Sequence, residues 1–323
     1  MDFSAIPVAF VVLPPLALAA GVDLYLTLLF LGAAPALGWW DVMPGALGDL
    51  SSPGVLIMVG TFYAFELLSE FFPSAALFWN AFHAIIRPVA GALLALLLLD
   101  GHPIDVTSVG ALLAGLLASA AHATRAGGGV LFWLDARKVP NRLLVALLED
   151  ASVLGMVVLL MDRPWWALAL SVFVAVASAR FVGSQVRAFV FAVELVWARV
   201  WLTLGQPRWT DPEDFPSWVR DALKGDIMAP GGGLRGSPVG GHRLPGAPRF
   251  SIGWVVVRGD TPLFVYRRRA RTARVGLGVL SARKVVQSPF FRRVELGGAG
   301  AANLYFRLDG PGQESLRAEF IPS

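Results

Sequence analysis

The chain has 323 residues, 56% of them hydrophobic and only 15% charged, with no cysteine and a mean hydropathy of +0.63. A soluble domain carries about a quarter charged residues, so the charge is too sparse to coat a water-facing surface of this size, and the composition is that of an integral membrane protein. The lack of cysteine excludes disulfides, thiolate metal sites and a cysteine nucleophile. Four histidines without HExxH-type spacing argue against a histidine-rich metalloenzyme.

Apolar runs occupy residues 5–20, 24–37, 53–72, 88–99, 106–121, 143–161, 165–182 and 186–204. A full span needs about 20 apolar residues, a length the third, sixth, seventh and eighth runs reach or approach. The first, second and fourth are short and sit beside breakers: Pro14-Pro15, Gly21 followed by Asp23, and Arg87-Pro88. Short interrupted stretches are the sequence pattern of discontinuous or re-entrant helices; a single kinked helix over residues 5–38 is the plainer alternative. The expected core is a polytopic helical membrane protein of about six to eight membrane segments. Asp2, the lack of Lys or Arg ahead of the first run, and Pro14-Pro15 argue against a cleaved signal peptide, although Ala17-Leu18-Ala19 has the small-x-small form.

Arg125, Arg137, Lys138 and Arg142 cluster in one loop, whereas the loops around Asp41 to Asp49 and Asp100 to Asp105 lack Lys and Arg. The positive-inside rule then places the C-terminal part in the cytoplasm. Trp39-Trp40, Trp165-Trp166, Trp197, Trp201 and Trp209 fit interfacial anchors.

After the last run, residues 206–248 read as a short amphipathic helix near 215–224 and then a flexible linker, with eight Gly and four Pro over 225–248. Residues 249–323 change to short β-type runs at 251–257, 262–267, 290–296, 303–308 and 315–321, a small all-β domain. It holds 13 Arg and Lys against 5 Asp and Glu. Arg267, Arg268, Arg269, Arg271 and Arg274 concentrate that charge. They suit anionic lipid headgroups, where each basic residue contributes about 1 kcal/mol, or are simply a solvated face of an Arg-biased chain. Nucleic acid is not expected as a partner, because no recognised motif supports it.

Ionisable residues inside apolar spans are costly and mark functional sites by default. Glu66 and Glu70 stand at i and i+4 on one helix face; Glu149 and Asp150 sit together inside the sixth run; Asp23 and Glu194 lie nearer the ends of theirs. Arg87 is the only Lys or Arg in the first 124 residues and is the nearest basic partner in sequence for Glu66 and Glu70; Arg125, Arg142, Arg180, Arg187 and Arg199 are further available cations. Such a set can bind a cation or exchange protons, or it can be a structural ion pair that holds a bent hairpin. Small residues at Gly110, Gly115, Ala114, Ala118 and Ser119 point to close helix packing. Gly127-Gly128-Gly129 lacks the Lys-Ser/Thr pair of a phosphate loop, and His122 reads as a packing histidine.

Both halves share a sketch of a polar break, a proline-opened span, acids within it and then Arg-Pro. The marks are Asp23, Pro53, Glu66/Glu70 and Arg87-Pro88 in the first half, and His122 to Arg125, Pro140, Glu149/Asp150 and Arg163-Pro164 in the second. Inverted repeats of this form place a site near the bilayer midplane.

Three stretches of the first half carry a family resemblance: Gly21-Val22-Asp23-Leu24-Tyr25, Ser52-Pro53 to Phe65-Glu66, and Ile86-Arg87-Pro88-Val89. Together with His122-Ala123-Thr124-Arg125 and Leu148-Glu149-Asp150, they resemble the bacterial membrane family catalogued as domain of unknown function 4126, over roughly residues 10–200. Members of that family tend to carry an Asp-Lys pair and a further Asp after the first-half Glu; here Ser69-Glu70 and Ser74-Ala75 stand in that region, and residues 129–141 also differ. The resemblance implies a membrane location and a repeat-built core, and no reaction.

The expected function is a transporter or channel using Glu66, Glu70, Arg87, Glu149, Asp150 and Asp23 for cation or proton coupling. A scramblase-like lipid handler and a scaffold or sensor presenting the basic domain are the alternatives. No GxSxG, metal cluster or phosphotransferase motif points to an enzyme, no cofactor is expected, and a homo-oligomer is left open.

Overall fold

A computed structural model describes residues 8–39, 46–134, 142–201, 208–227, 233–259, 261–268, 271–278, 282–297 and 302–320. Trp40, Asp41, Arg137, Lys138, Pro140 and Arg269 lie outside them. The chain divides into two compact units, Met1–Gln185 and Val186–Ser323.

The first unit is helical. Its elements are α1 (Val8–Val22), α2 (Leu24–Ala33), α3 (Pro53–Ser69), α4 (Pro73–Leu98), α5 (Ile104–Leu134), α6 (Arg142–Asp162) and the first part of α7 (Pro164–Trp201). Ile57, Phe65, Ile85, Leu93, Leu112, Leu116, Leu148 and Phe173 are all more than half exposed. Large apolar side chains turned outward along whole helices are the surface of a protein solvated by lipid. Among the described residues, three stretches are long and apolar enough to cross a membrane: Ala75–Leu98, Ile104–Leu131 and Leu144–Asp162. The two halves of α7, Pro164–Arg180 and Val182–Val200, make a fourth if they are one broken span.

That is fewer than six to eight, for local reasons. Run 88–99 is the second half of α4, because Pro88 sits inside that helix and does not start a new one; neighbouring helices make such a proline tolerable within a membrane. The third run ends as a helix at Ser69 after 17 residues. The first two runs are separate helices of 15 and 10 residues, parted at Asp23.

Small residues set the packing. A Cβ on Gly91 would lie 2.7 Å from that of Ala118, and one on Gly115 3.0 Å from the Pro88 carbonyl, so α4 and α5 run antiparallel in close contact. One on Gly21 would stand 2.5 Å from the Ala118 carbonyl, bringing the end of α1 to the middle of α5. Leu13, near the start of α1, reaches the space beside Gly110 and Leu99 at the far end of the α4–α5 pair. α2 runs on until Gly32 abuts the Leu50 carbonyl, in a turn whose Ala46 amide donates to the Leu97 carbonyl. Gly127 to Gly129 are ordinary helical positions of α5, with Gly127 pressed against the Gln185 backbone.

The second unit holds an antiparallel seven-stranded sheet in the order β4-β3-β2-β1-β7-β6-β5. The strands are β1 (Leu234–His242), β2 (Phe250–Arg258), β3 (Thr261–Arg268), β4 (Arg271–Gly276), β5 (Ala282–Gln287), β6 (Phe291–Leu296) and β7 (Ala302–Arg307). Alternation feeds two cores. Val255, Val257, Phe264 and Phe306 pack with Leu316 and Phe320 of α10 (Gln313–Phe320). Val256 and Val265 pack with Phe215, Val219 and Leu223, on and beside α8 (Ser217–Ala222), which the short α9 (Lys224–Ile227) follows.

Two tail readings are corrected. The expected linker contains the central strand β1. Its glycines clear space for rings: a Cβ on Gly240 would meet Phe191 and Phe250 at 2.9 Å, and one on Gly236 would meet Phe215 at 2.8 Å. Pro238 is tolerated there because the β7 ladder begins only at Val239. Residues 315–320 of the expected last strand lie in α10 instead, whose Leu316 and Phe320 share a face at i and i+4, and Ile321 lies outside the described residues.

Candidate functional site

The site forms where α1 stops. Asp23 adopts extended backbone angles, its Oδ1 accepts from the Leu26 amide at 2.9 Å, and it thereby caps α2. The last carbonyls of α1 are left without helical partners, and Arg87 fills that need: its Nη1 donates to Gly21 O at 2.6 Å and also to Val22 O. A cation at a helix C-terminus is favoured by the helix dipole as well. Arg87 is fully buried and stands at the middle of the Ala75–Leu98 span, roughly 17 Å from either end at the helical rise per residue.

The other arm of Arg87, Nη2, donates to Glu66 Oε1. The same oxygen accepts from Arg125 Nη1 at 2.9 Å. Arg125 also holds Glu149 through Nε at 2.6 Å and faces Glu70 through Nη2 at 3.5 Å. One guanidinium therefore gathers three carboxylates from α6 and the end of α3. Side-chain exposure grows outward along this chain, from 0% at Arg87 and 3% at Glu66 to 8% at Arg125, 19% at Glu70 and 30% at Glu149.

Around the chain lies a second layer of polar groups. Tyr63 donates to Asp150 Oδ2 at 2.8 Å. His83 Nδ1 is 2.8 Å from the Trp79 carbonyl, which can only accept, so Nδ1 carries hydrogen and Nε2 of the neutral ring receives the Tyr25 hydroxyl at 2.7 Å. His122 Nε2 donates to the Asn80 carbonyl at 2.9 Å. At this site, among the described residues, Glu66 Oε2, Arg87 Nε, Trp79 Nε1 and Asn80 Oδ1 are buried without a hydrogen-bond partner.

The residues of the network keep to one end of each helix. On α4, Trp79, Asn80, His83 and Arg87 precede Gly91, Leu94, Ala95 and Leu98; on antiparallel α5, Ala114 and Ala118 precede His122 and Arg125; on α6, Glu149 and Asp150 precede Val153, Val157 and Leu160. The apolar ends merge in one core with Leu13, Leu16 and Leu31.

Of the residues singled out from sequence, Glu66, Glu70, Arg87 and Glu149 come together, Asp150 joins through Tyr63, and Asp23 shapes the helix break. Arg125 is the hub, and its role was missed. Its signal is the buried stripe Ala114, Ala118, His122 and Arg125 at helical spacing. Tyr63 was missed too, on the stripe of Val59, Glu66 and Glu70. Glu194 lies in the second unit, beside a cavity of about 400 Å³ lined also by Arg208, Trp218, Trp254 and Arg307. Of the basic tail residues, Arg267 stacks on Trp218 with its guanidinium 5.3 Å from the ring, and Arg274 binds Asp226 at 2.8 Å. Arg268 and Arg271 are exposed and paired across the β3–β4 hairpin.

Apolar helices sheltering a buried charge network define an integral membrane protein of helical type. The chain belongs to the family described as domain of unknown function (DUF4126), whose family model matches residues 12–183, a stretch ending two residues before the first unit does. No curated protein and no solved structure matches the chain.

Proposed function

We propose that this is a transporter- or channel-type protein of the bacterial inner membrane whose intramembrane carboxylates couple to a cation or a proton. The observation that carries the reading is a buried charge network at mid-span. Among the described residues, Glu66, Glu70 and Glu149 gather on Arg125, Glu66 also meets Arg87, and Asp23 and Tyr63, which holds Asp150, lie in the same field. Ionisable groups at this depth are costly and mark ion and proton pathways by default. Carboxylates that a cation or a proton can reach are what an ion-coupled site requires.

The finer architecture in this proposal is a re-entrant pair: α1 descends to mid-depth, breaks at Asp23, and α2 returns to the side from which α1 came. The contacts of Leu13 beside Gly110 and of Gly32 against Leu50 support it, as does a broken end facing Arg87 at mid-span. The inverted repeat gains less support, because Arg163-Pro164 precedes and opens α7 whereas Arg87-Pro88 lies within α4. The basic residues that follow α5 in sequence and the basic tail favour the cytoplasmic side, with Arg268 and Arg271 available to anionic headgroups.

The test is ion flux in proteoliposomes carrying the wild type, Glu66→Gln, Glu70→Gln and Glu149→Gln. Loss of flux in these variants is the expected result. Equal flux in all four proteins would remove the carboxylates from the mechanism.

A further inference from the structure

The acids meet on arginines and a phenol, and they do not converge on a common point. A sodium, potassium or divalent ion gives up its water only for a shell of about six oxygens. Here Glu66 Oε1, Glu70 and Glu149 are turned to Arg125, and Asp150 to Tyr63. No group of three or more His, Asp or Glu among the described residues is arranged to hold a metal ion. Among the described residues, one carboxylate oxygen is both buried and without a hydrogen-bond partner, Glu66 Oε2, in a residue that is 2% exposed.

One oxygen is too few for a metal cation and sufficient for a proton. We infer that the ion handled by this site is the proton, that it resides on Glu66 Oε2, and that it enters from the membrane face where α3 ends and α4 and α6 begin. The inference rests on the ion-coupled reading above and narrows it.

Three observations agree on the route. The polar halves of α3, α4, α5 and α6 all lie toward that face, while the opposite halves close into the apolar core around Leu94, Leu98, Val157 and Leu160. Exposure rises in the same direction, to 30% at Glu149. The unpartnered atoms of Trp79, Asn80 and Arg87 offer donors and an acceptor of the kind that hold buried water.

Along this route an O–H bond forms on a Glu149 oxygen as one breaks in a hydronium ion outside, which is left as water. The proton then moves inward by the same exchange through water or Glu70, until an O–H bond forms at Glu66 Oε2. No electron changes hands. Oε1 keeps the bonds to Arg87 and Arg125, so the framework stays tied while Oε2 is loaded. Charged and titratable groups facing Glu66 are Arg87 and His83 from α4, Arg125 from α5 and Asp23 from the helix break. On the α3 and α6 sides Glu70 and Glu149 share Arg125 with it. Tyr25 and the Tyr63–Asp150 pair also lie within its field.

The experiment uses the full chain in liposomes with trapped pyranine, an imposed pH gradient, and potassium with valinomycin to clamp the voltage. Radioactive sodium uptake is measured in parallel. The wild type should collapse the pH gradient, Glu66→Gln should fall to the protein-free background, Glu66→Asp should keep part of the rate, and sodium uptake should stay at background throughout. Because Glu66→Gln can fail to fold, the wild type is also treated with dicyclohexylcarbodiimide, which attacks a protonated carboxyl in apolar surroundings, and the adduct is located by mass spectrometry. Modification at Glu66 that fades as pH rises is expected. Sodium uptake that depends on Glu66 would overturn the proton and leave ion coupling standing; flux of neither ion would overturn both. Proton flux that survives in a folded Glu66→Gln variant, or carbodiimide modification that never reaches Glu66, would overturn the assignment to Oε2.

Discussion

Arg87 donates to the carbonyl oxygen of Gly21 at 2.6 Å, across 66 positions of sequence. The same side chain holds Glu66, so one residue ties α1, α3 and α4 together at mid-span. Arg87→Met should therefore lower stability by about 3–5 kcal/mol, the usual cost of stripping one partner from a buried ion pair. Arg87→Lys should fall between, since one ammonium lacks the fork that serves a carboxylate and two carbonyls. Thermal unfolding of the purified protein in detergent reads both, and an Arg87→Met midpoint equal to wild type would refute the tie.

Arg125 faces three carboxylates. Arg125→Gln leaves them mutually repelling, and adding Glu149→Gln should recover part of the loss. In a double-mutant cycle the coupling between the two positions should fall at about 0.5–3 kcal/mol. Simple additivity would mean that the contact with Glu149 contributes nothing.

Gly21→Val places a side chain where even a Cβ stands 2.5 Å from the Ala118 carbonyl. Overpacking of this kind costs about 1–3 kcal/mol. Gly48→Ala, with open space around it, is the matched control and should leave the unfolding midpoint unchanged.

The chain contains no cysteine, so single cysteines report access without background. Asn80→Cys, in the polar half, should react with a membrane-impermeant thiol reagent added from one side of the membrane only. Leu94→Cys, 3% exposed in the wild-type residue, should resist it from both. Equal labelling at the two positions would contradict one-sided access.

In the second unit, Gly240→Val pushes into Phe191 and Phe250 and should cost about 1–3 kcal/mol. Amide exchange across β1 and β2 of the full chain should speed up, whereas Gly278→Ala, with nothing near it, should leave exchange as it is. Unaltered protection in Gly240→Val would argue against β1 as the central strand.

Much of the charge network can be read from sequence, because carboxylates in apolar runs are few and conspicuous. What sequence hides is which cation they meet. Arg87 stands out as the lone early base, yet Arg125 collects more of them, since antiparallel packing of α4 and α5 brings residues 42 apart into contact at Asn80 and His122. Glycine misleads in the tail. The same residues that loosen a linker also let a central strand pass beneath aromatic rings, and only the rings of Phe215 and Phe250 decide between the two. The strands β4 and β5 are hard to see because their arginines mask the alternation expected of a strand, as befits positions at the sheet's outer rims.

The break at Asp23 also constrains the order of biogenesis. In the proposed re-entrant arrangement the α1 end brings the Gly21 and Val22 carbonyls to mid-depth, where each would cost several kcal/mol if left unsatisfied in hydrocarbon. Among the described residues their side-chain donor is Arg87, which is translated more than sixty residues later. A nascent chain halted before α4 lacks that donor, so on the re-entrant reading the first two helices are expected to wait in the translocon or at the headgroups. They can settle only after the arginine emerges from the ribosome.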